Sequence, residues 1–347
     1  MKKIIFTGGG TLGHVMPNLY LIEELSDYSI AYIGSNGIEK DTVKEKVQHY
    51  FEIPAIKLTR GKILKNIKIP FVLISAIMQA KKILKEYAPD VIFSKGGYVS
   101  LPVCIAGRIL KIPVITHESD YSFGLANKII LKVCDKMCVN FKNLEPANKK
   151  VIYTGPIFSR SFENADKNTT GLNLDKNKST ILIVGGSLGS QKINDSIFPI
   201  LKELLTKYNI IHITGKGNLK IKSYNNYNAF EMRSDMSNLY NIADFVIGRS
   251  GAGVTAECYY KHLPMLLIPL ENKSSRGDQT QNAKYYQDLG IARIIRENEL
   301  TPTRLLREIE LFSTSLIKFQ SKYNALSTTN GRDKIIKLIK DYTKKEG

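Results

Sequence analysis

The sequence predicts an α/β protein with two doubly wound, Rossmann-like domains that face a central cleft. The chain has 347 residues, which is more than one ordinary domain contains. Short β-branched runs end in Gly, Ser or Thr and alternate with helical segments, a pattern typical of parallel sheets covered by helices on both faces. A similar glycine turn follows the first strand of each half, which indicates two similar domains.

The predicted strands fall into two series. In the first half they are Lys3–Thr7, Ile30–Ile33, Val91–Ser94, Pro113–Thr116, Lys136–Val139 and Val151–Tyr153. In the second half they are Ile181–Val184, Ile210–Thr214, Phe245–Ile247, Met265–Ile268 and Ala292–Ile295. We therefore predict a first domain over residues 1–158, a polar linker over 159–179 and a second domain over 180–320. We expect residues 321–347 to form a helix that packs back on the first domain.

The charge balance indicates an affinity for anionic partners. The chain has 50 Lys and Arg against 32 Asp and Glu, a net charge of +18. Such an excess favours nucleic acid, anionic lipid headgroups or phosphorylated substrates, although part of it is ordinary solvated surface. No nucleic-acid-reading motif accompanies the charge, so we expect no nucleic-acid partner.

The cysteines and the apolar runs argue against a zinc protein, a secreted protein and a membrane-spanning protein. The four cysteines are scattered and lack the spacing of a zinc site, so we expect no metal and no cofactor. The apolar run at the N-terminus is too short for a signal peptide. The longest apolar stretch, Ile69–Met78, falls short of the ~20 residues that a membrane span needs. We expect a soluble or peripheral protein.

The first glycine turn fits a nucleotide-binding fingerprint only in part. Gly8, Gly10 and Gly13 follow the first strand with the spacing of that motif, and such turns let backbone N–H groups approach a phosphate. The motif also needs an acidic residue at the end of the second strand. After that strand, which ends at Ile33, the next Asp or Glu is Glu39. A nicotinamide or flavin enzyme is therefore disfavoured. A tight turn without a ligand is the alternative.

A second cradle lies in the second half. Gly185-Gly186-Ser187-Leu188-Gly189 follows one strand, and the turn Arg249–Gly253 follows another and opens a helix that contains Glu257. Phosphates at the helix tip and a ribose at the carboxylate would make a consistent nucleotide site. The alternative is that Glu257 only complements the helix dipole.

A polar cluster follows the strand Met265–Ile268. Amide side chains there could hold sugar hydroxyls, because ligands of open α/β sheets bind at the carboxyl ends of the strands. An ordinary polar loop is the alternative. The cluster consists of Asn272, Lys273, Arg276, Asp278, Gln279 and Asn282.

Five motifs together resemble the MurG family of N-acetylglucosaminyltransferases, over most of the chain. They are Thr7–Pro17 (TGGGTLGHVMP), Gly96–Pro102 (GGYVSLP), His117-Glu118, Gly185–Gly189 (GGSLG) and Arg249–Ala252 with Glu257. The resemblance implies a GT-B fold, a UDP-N-acetylglucosamine (UDP-GlcNAc) donor and an acceptor of undecaprenyl-diphosphate-linked MurNAc-pentapeptide. It also implies an inverting β-1,4 transfer, from lipid I to lipid II, without a tightly bound metal. The first domain would bind acceptor and membrane, and the second domain would bind donor.

The resemblance also assigns individual residues. Ser187 would meet the diphosphate, Glu257 the ribose, the backbone near Arg233 the uracil and Gln279 the sugar. The further donor contacts implied are the first-domain loop Thr11, Leu12 and Gly13, and the helix opening Ala252, Gly253, Val254, Thr255 and Ala256.

Three positions depart from the family pattern. Asp120 stands where an asparagine usually contacts the sugar, Arg160 stands one position later than the usual arginine, and Val254 replaces a common threonine. These changes fit a divergent enzyme or a relative with another acceptor.

His14 is the candidate base for the transfer. It is one of five histidines and the one that lies within a glycine turn. An inverting transfer needs a group that takes the proton of the attacking hydroxyl, and histidine has a suitable pKa of about 6.5. Binding of a phosphate or of the acceptor is one alternative, and a structural hydrogen bond is another.

A basic and apolar segment suits an anionic membrane surface. Interleaved cations and apolar side chains favour a bilayer, and the resemblance places membrane docking in this part of the first domain. A core-packing helix with a solvated lysine face is the alternative. The residues assigned to the membrane are Lys62, Ile63, Leu64, Lys65, Ile67 and Lys68.

The sequence thus predicts a peripheral enzyme on the cytoplasmic face of the membrane. Two other functions remain open. One is a related GT-B glycosyltransferase that acts on another lipid acceptor. The other is a non-catalytic sugar-nucleotide-binding protein.

Overall fold

The computed structural model describes residues 1–57, 66–167, 171–186, 189–271 and 276–344. The chain divides into two compact units, one of Met1–Ser159 with Thr329–Gly347 and the other of Arg160–Thr328. Each unit contains a parallel sheet, of seven strands in the first and six in the second. The prediction of two Rossmann-like α/β domains is therefore confirmed.

The first unit has the strand order β3-β2-β1-β4-β5-β6-β7. Its strands are β1 (Lys3–Thr7), β2 (Ser29–Gly34), β3 (His49–Glu52), β4 (Val91–Ser94), β5 (Val114–Glu118), β6 (Lys136–Val139) and β7 (Val151–Tyr153). Its helices are α1 (Met16–Ile22), α2 (Ile38–Val43), α3 (Ile69–Tyr87), α4 (Gly97–Ile109) and α5 (Leu125–Val133). The helix Arg332–Lys344, near the end of the chain, also belongs to this unit.

Both faces of this sheet are buried. Alternate residues of β1 enter different cores, since Ile5 packs in one cluster while Ile4 and Phe6 pack in the other. Helices α3 to α5 cover the first face, and Ile335 and Ile339 of the last helix help to cover the second. The carboxyl ends of β1, β4 and β5 consequently meet at one edge of the sheet.

The second unit has the strand order β10-β9-β8-β11-β12-β13. Its strands are β8 (Ser179–Val184), β9 (Tyr208–Ile213), β10 (Tyr227–Phe230), β11 (Phe245–Gly248), β12 (Met265–Leu267) and β13 (Ala292–Ile294). Its helices are α6 (Arg160–Glu163), α7 (Gln191–Ile197), α8 (Leu201–Lys207), α9 (Met236–Ile242), α10 (Ala252–Tyr260), α11 (Asp278–Asp288), α12 (Pro302–Thr314) and α13 (Leu316–Lys322), so that Arg332–Lys344 is α14.

The boundaries of the units differ from the predicted ones. The segment predicted as a linker, 159–179, opens with α6, whose Phe162 is buried beside the rings of Tyr240 and Tyr260. At the other end, buried Tyr323 donates a 2.7 Å hydrogen bond to the Leu263 carbonyl. Both contacts lie inside the second unit, which therefore begins before 180 and continues beyond 320.

Two strands were absent from the prediction. They are β3 and β10, and each lies at the edge of its sheet. Neither has the continuous apolar run of a central strand, because β3 is partly solvated and β10 contains the polar Asn228. None of the four residues of β3 is fully buried. Within the described ranges, no helix has the length and hydropathy that a membrane crossing requires.

Candidate active site

The loop after β1 is built from glycines that internal packing requires. A Cβ atom on Gly8 would lie 2.5 Å from the His14 carbonyl oxygen. Gly10 has φ +80°, and a Cβ atom there would lie 2.7 Å from the ring of Tyr98. Side chains at these positions would push the loop away from the sheet, so the glycines fix where the following residues lie.

The carboxylate of Glu39 lies beneath this loop. Glu39 is buried and accepts hydrogen bonds from the N–H of Gly10 at 3.1 Å, the N–H of Ser35 at 2.9 Å and the hydroxyl of Ser35. A Cβ atom on Gly9 would lie 2.5 Å from that carboxylate. The chain's own anion thus takes the Gly10 N–H that a nucleotide-binding loop would offer to a phosphate. The predicted ligand contacts of Thr11, Leu12 and Gly13 lie just beyond this point.

His14 stands at the end of the same loop. Its Nδ1 lies 3.2 Å from the Gly9 carbonyl oxygen and 3.2 Å from the Thr11 hydroxyl. A carbonyl oxygen can only accept, so Nδ1 carries the proton in the bond to Gly9, and in the neutral ring Nε2 then carries the lone pair. A Cβ atom on Gly97, at the start of α4, would lie 3.4 Å from the ring. This tautomer suits a proton acceptor.

Buried polar groups tie the ends of β4 and β5 together. Lys95 is 1% exposed, and its Nζ donates a 2.7 Å hydrogen bond to the Ser119 hydroxyl. Burial lowers the pKa of Lys95 to about 8, opposed by the nearby carboxylates of Glu118 and Asp120. His117 is buried, and burial together with Lys95 holds its pKa well below the ordinary value. A neutral His117 shapes the interior rather than the surface of the site.

Glu118 organises the loop that contains Asp120. It accepts a 2.8 Å hydrogen bond from the Asn127 amide, and N–H groups of Asp120 and Gly124 at 3.0 and 3.2 Å. Asn127 in turn accepts from the N–H of Gly97 at 3.2 Å. The structure therefore brings the predicted residues His14 and Asp120 to the same edge of the first sheet. Asp120 is half-buried there.

In the second unit, α10 begins with uncapped N–H groups. Among the described residues no side chain caps the helix, whose N-cap residue is Gly251. A Cβ atom on Gly251 or Gly253 would meet no atom of the described residues within 4 Å, apart from its chain neighbours and the helix itself. In contrast, Gly189 has φ +76°, and a Cβ atom there would overlap the Thr214 carbonyl. Packing within the protein thus requires glycine at 189 but not at 251 or 253.

The predicted residues Ala252, Gly253, Val254, Thr255 and Ala256 form the first part of α10, and Glu257 follows on the same helix. Glu257 is half-buried, and the phenol of Tyr240 donates a 2.7 Å hydrogen bond to its Oε2. Burial raises the pKa of Glu257 to about 7, an effect that the Tyr240 hydrogen bond opposes. Close to neutral pH, Glu257 therefore lies near the midpoint of its titration.

Gln279 is anchored beside the start of α10. Its side-chain oxygen accepts a 3.0 Å hydrogen bond from the Leu270 N–H, and its carbonyl accepts a 2.8 Å bond from the Ser250 hydroxyl. The amide NH₂ is then the end of the side chain that can donate to a sugar. Arg249 is buried and pairs with Glu297 while it donates to the Ile268 carbonyl at 3.1 Å, so it holds the turn rather than a ligand.

Arg233 and Arg160 differ in their surroundings: the side chain of Arg233 is held by neighbouring residues, and Arg160 is exposed. Arg233 follows β10, pairs with Asp235 through a 2.7 Å bond from Nε and stacks 4.6 Å from the ring centroid of Phe230. The side chain is thereby fixed, and the backbone beside it stays the predicted uracil contact. Arg160 is exposed at the start of α6 in the second unit.

Several predicted residues lie outside the described ranges. They are Ser187, Lys62, Ile63, Leu64, Lys65, Asn272 and Lys273. Ile67 and Lys68 are described, and both are exposed. Within the described ranges no group of three or more His, Cys, Asp or Glu side chains could hold a metal ion.

Sequence reasoning missed two residues of these clusters. In the sequence Glu39 is only an acidic residue too far along the chain to bind a ribose, because its position under the loop depends on packing. Tyr240 belongs to no recognisable motif, and its contact with Glu257, 17 residues later in the chain, could not be predicted from the sequence. Tyr98 stood inside a quoted motif, and its contact with Gly10 was not predictable from spacing.

Comparison with known proteins identifies the family. The glycosyltransferase family 28 N-terminal domain matches residues 4–139, and the family 28 C-terminal domain matches residues 180–339. The chain belongs to glycosyltransferase family 28. Relatives of the chain are named UDP-N-acetylglucosamine–N-acetylmuramyl-(pentapeptide) pyrophosphoryl-undecaprenol N-acetylglucosamine transferase.

These family 28 relatives match along their whole length. The protein of Clostridium botulinum (strain Langeland) is 42% identical over 355 residues, which cover 99% of this chain and 100% of the relative. Transferase 3 of Bacillus thuringiensis (strain Al Hakam) is 41% identical over 350 residues, which cover 98% of each chain. The crystal structure of Acinetobacter baumannii MurG matches with a TM-score of 0.80 and 26% identity, over 98% of this chain and 100% of that one. The resemblance to the MurG family and the GT-B fold are confirmed.

Proposed function

We propose that the chain transfers N-acetylglucosamine from UDP-GlcNAc to undecaprenyl-diphosphate-linked MurNAc-pentapeptide and so converts lipid I to lipid II in peptidoglycan synthesis. The observation that carries the proposal is the arrangement on α10. Uncapped N–H groups open that helix, and the carboxylate of Glu257 follows on it. A diphosphate and a ribose diol need these two groups in this order. Relatives that match along their full length are named for the same transfer.

The transfer divides into tasks for named residues. The hydroxyl at C4 of MurNAc attacks C1 of GlcNAc, its proton passes to Nε2 of His14, and the bond from C1 to the diphosphate breaks with inversion. UDP leaves with the bonding electrons. The N–H groups that open α10 stabilise the charge that develops on the diphosphate. The Gly9 carbonyl and Glu39 hold the loop that carries the base.

The same proposal places the enzyme on the cytoplasmic face of an anionic membrane, through helix α3. Ile67, Phe71, Ile74 and Met78 are 65%, 75%, 57% and 67% exposed. Ile67 precedes the helix, and the spacing of three and four residues puts Phe71, Ile74 and Met78 on one face of it. Ala76, Ala80 and Leu84 of the same helix are buried in the core.

A bilayer is the occupant that fits this face. The apolar stripe continues the basic segment that contains Lys68, and exposed Lys82 and Lys85 follow it along α3. Apolar side chains flanked by lysines match the acyl boundary and the anionic headgroups of a membrane. The first unit would thereby meet the acceptor, whose polyprenyl chain is held in that membrane.

A panel of acceptors tests the function. Labelled UDP-GlcNAc is incubated with a lipid I analogue, with diacylglycerol and with undecaprenyl phosphate, each in vesicles. We expect label to enter only the lipid I analogue. Transfer to one of the other two lipids would assign another acceptor. Binding of UDP-GlcNAc without transfer to any lipid would indicate a sugar-nucleotide-binding protein instead.

A further inference from the structure

Tyr240 is a deeply buried phenol beside the carboxylate assigned to the donor ribose. It lies on α9, is 1% exposed and packs edge-on against Phe162, with ring centroids 6.2 Å apart. Its hydroxyl donates a 2.7 Å hydrogen bond to Oε2 of Glu257 on α10. Burial and the neighbouring carboxylate raise the pKa of Tyr240 well above its ordinary value, so the phenol stays a donor.

Glu257 has no cation to hold its charge. In the parts of the chain that the structure describes, no Lys, Arg or His forms an ion pair with it, and Oε1 makes no hydrogen bond. The titratable groups that face it are the phenol of Tyr240 and the thiol of Cys258, whose pKa burial and Glu257 hold well above the ordinary value. The favourable contact that remains is the hydrogen bond from Tyr240.

We propose that Tyr240 is a positioning residue for the donor, which holds Oε2 of Glu257 so that the carboxylate accepts both ribose hydroxyls of the nucleotide. The inference rests on the proposed donor site. An ionised carboxylate can accept from two hydroxyls at once, whereas a protonated one must donate its own proton. Tyr240 supplies one hydrogen bond to the ionised form and leaves Oε1 for the ribose.

The consequence is a preference for ribose that depends on pH. UDP should bind the ionised form of Glu257 more tightly, so its affinity should fall below the pKa of about 7 toward that of a nucleotide without the ribose hydroxyls. Replacing Tyr240 with phenylalanine removes the contact that favours ionisation. The pKa of Glu257 then rises above its value in the parent, the ionised fraction at pH 7 falls, and UDP binds the variant more weakly than the parent at that pH.

The experiment compares two nucleotides on the full chain. Isothermal titration with UDP and with 2′,3′-dideoxy-UDP is run between pH 6 and pH 9 for the parent and for Tyr240→Phe. Both nucleotides carry the same diphosphate, which titrates with a pKa of about 6, so the ratio of their affinities isolates the ribose hydroxyls. We expect this ratio to fall as pH decreases, and the fall to begin at higher pH in Tyr240→Phe. Dideoxy-UDP should bind both proteins equally.

Two further variants serve as a control for the loss of a buried phenol and as a direct test of the carboxylate. Tyr323→Phe removes a phenol of similar burial in the same unit, whose hydroxyl donates to the Leu263 carbonyl, and it should leave the ratio unchanged. Glu257→Gln should abolish the dependence of the ratio on pH, which tests the carboxylate even where Tyr240→Phe folds poorly. An identical ratio at every pH in the parent and in Tyr240→Phe, or a ratio in Glu257→Gln that still falls with pH, would overturn the inference. Failure of the parent to bind UDP at all would instead overturn the proposed function.

Discussion

Replacing Gly251 with alanine should leave the stability of the fold almost unchanged and weaken binding of the donor nucleotide. Gly251 has φ −63° and ψ 145°, a conformation open to any residue, and a Cβ atom there would meet no atom of the described chain within 4 Å beyond its immediate neighbours. Alanine is a poorer N-cap than glycine by less than ~1 kcal/mol. The lower entropy of the unfolded chain offsets ~0.4–1 kcal/mol of that cost. We therefore expect little change in the free energy of unfolding.

Donor binding should respond very differently. The new methyl group would stand beside the N–H groups of Ala252 and Gly253 that open α10 and would keep a diphosphate at a distance. Losing charge-assisted hydrogen bonds worth ~1.5–3 kcal/mol predicts that UDP binds about ten- to a hundredfold more weakly. Calorimetric titration with UDP and thermal unfolding measure the two effects on one preparation.

Gly189→Ala is the matched control. Gly189 has φ +76°, and its Cβ atom would overlap the Thr214 carbonyl, so this variant should lose at least ~1–3 kcal/mol of stability. The reasoning about α10 fails if Gly251→Ala binds UDP as tightly as the parent, or if Gly251→Ala is destabilised as much as Gly189→Ala.

Three further predictions concern the first unit. Glu39→Gln should lower turnover by about tenfold or more, and by more than it weakens UDP binding, because charged hydrogen bonds worth ~1.5–3 kcal/mol hold the loop of His14 while most predicted donor contacts lie in the second unit. His14→Ala should lower the single-turnover rate at saturating substrates by ~10²–10⁴-fold, and an unchanged rate would remove it as the base. Phe71→Ser with Met78→Ser should weaken binding to anionic vesicles by at least about tenfold, since each side chain contributes ~1.5–3 kcal/mol when buried in lipid.

Controls for these variants come from the same chain. Ile317 is 82% exposed in the second unit, so Ile317→Ser should leave vesicle binding unchanged. Equal binding by the parent and the Phe71, Met78 double variant would show that the stripe on α3 is not the membrane contact. For Glu39→Gln, a loss of UDP affinity equal to the loss of turnover would point to general unfolding rather than to the loop.

The sequence predicted the central strands and the glycine turns well because both are local signals. Strands that are buried on both faces are apolar throughout, as in β1, and a turn after such a strand needs glycine. The edge strands β3 and β10 lack that signal, because no residue of β3 is buried and the polar Asn228 interrupts the short run of β10.

Spacing could not sort the glycines by role. Gly189 is required by the Thr214 carbonyl, 25 residues later, whereas no distant part of the described chain comes within 4 Å of a Cβ atom on Gly251. The position of Glu39 under the first loop and that of Tyr240 against Glu257 also depend on packing between distant segments. The exposed apolar stripe on α3 was likewise not predictable from the sequence. Its residues have helical spacing, but Ala76 and Ala80 on the opposite face are apolar too, so the sequence does not reveal which face is buried.

The most direct test of the account is the product of one reaction. The full chain, UDP-GlcNAc and a lipid I analogue in anionic vesicles are incubated together, and the lipid fraction is analysed by mass spectrometry and by NMR of the new anomeric proton. The account predicts a product heavier by one N-acetylhexosamine, β-linked to C4 of MurNAc, with release of one UDP per product. An α-linked product, attachment at another hydroxyl, or release of UDP without a glycosylated lipid would contradict it.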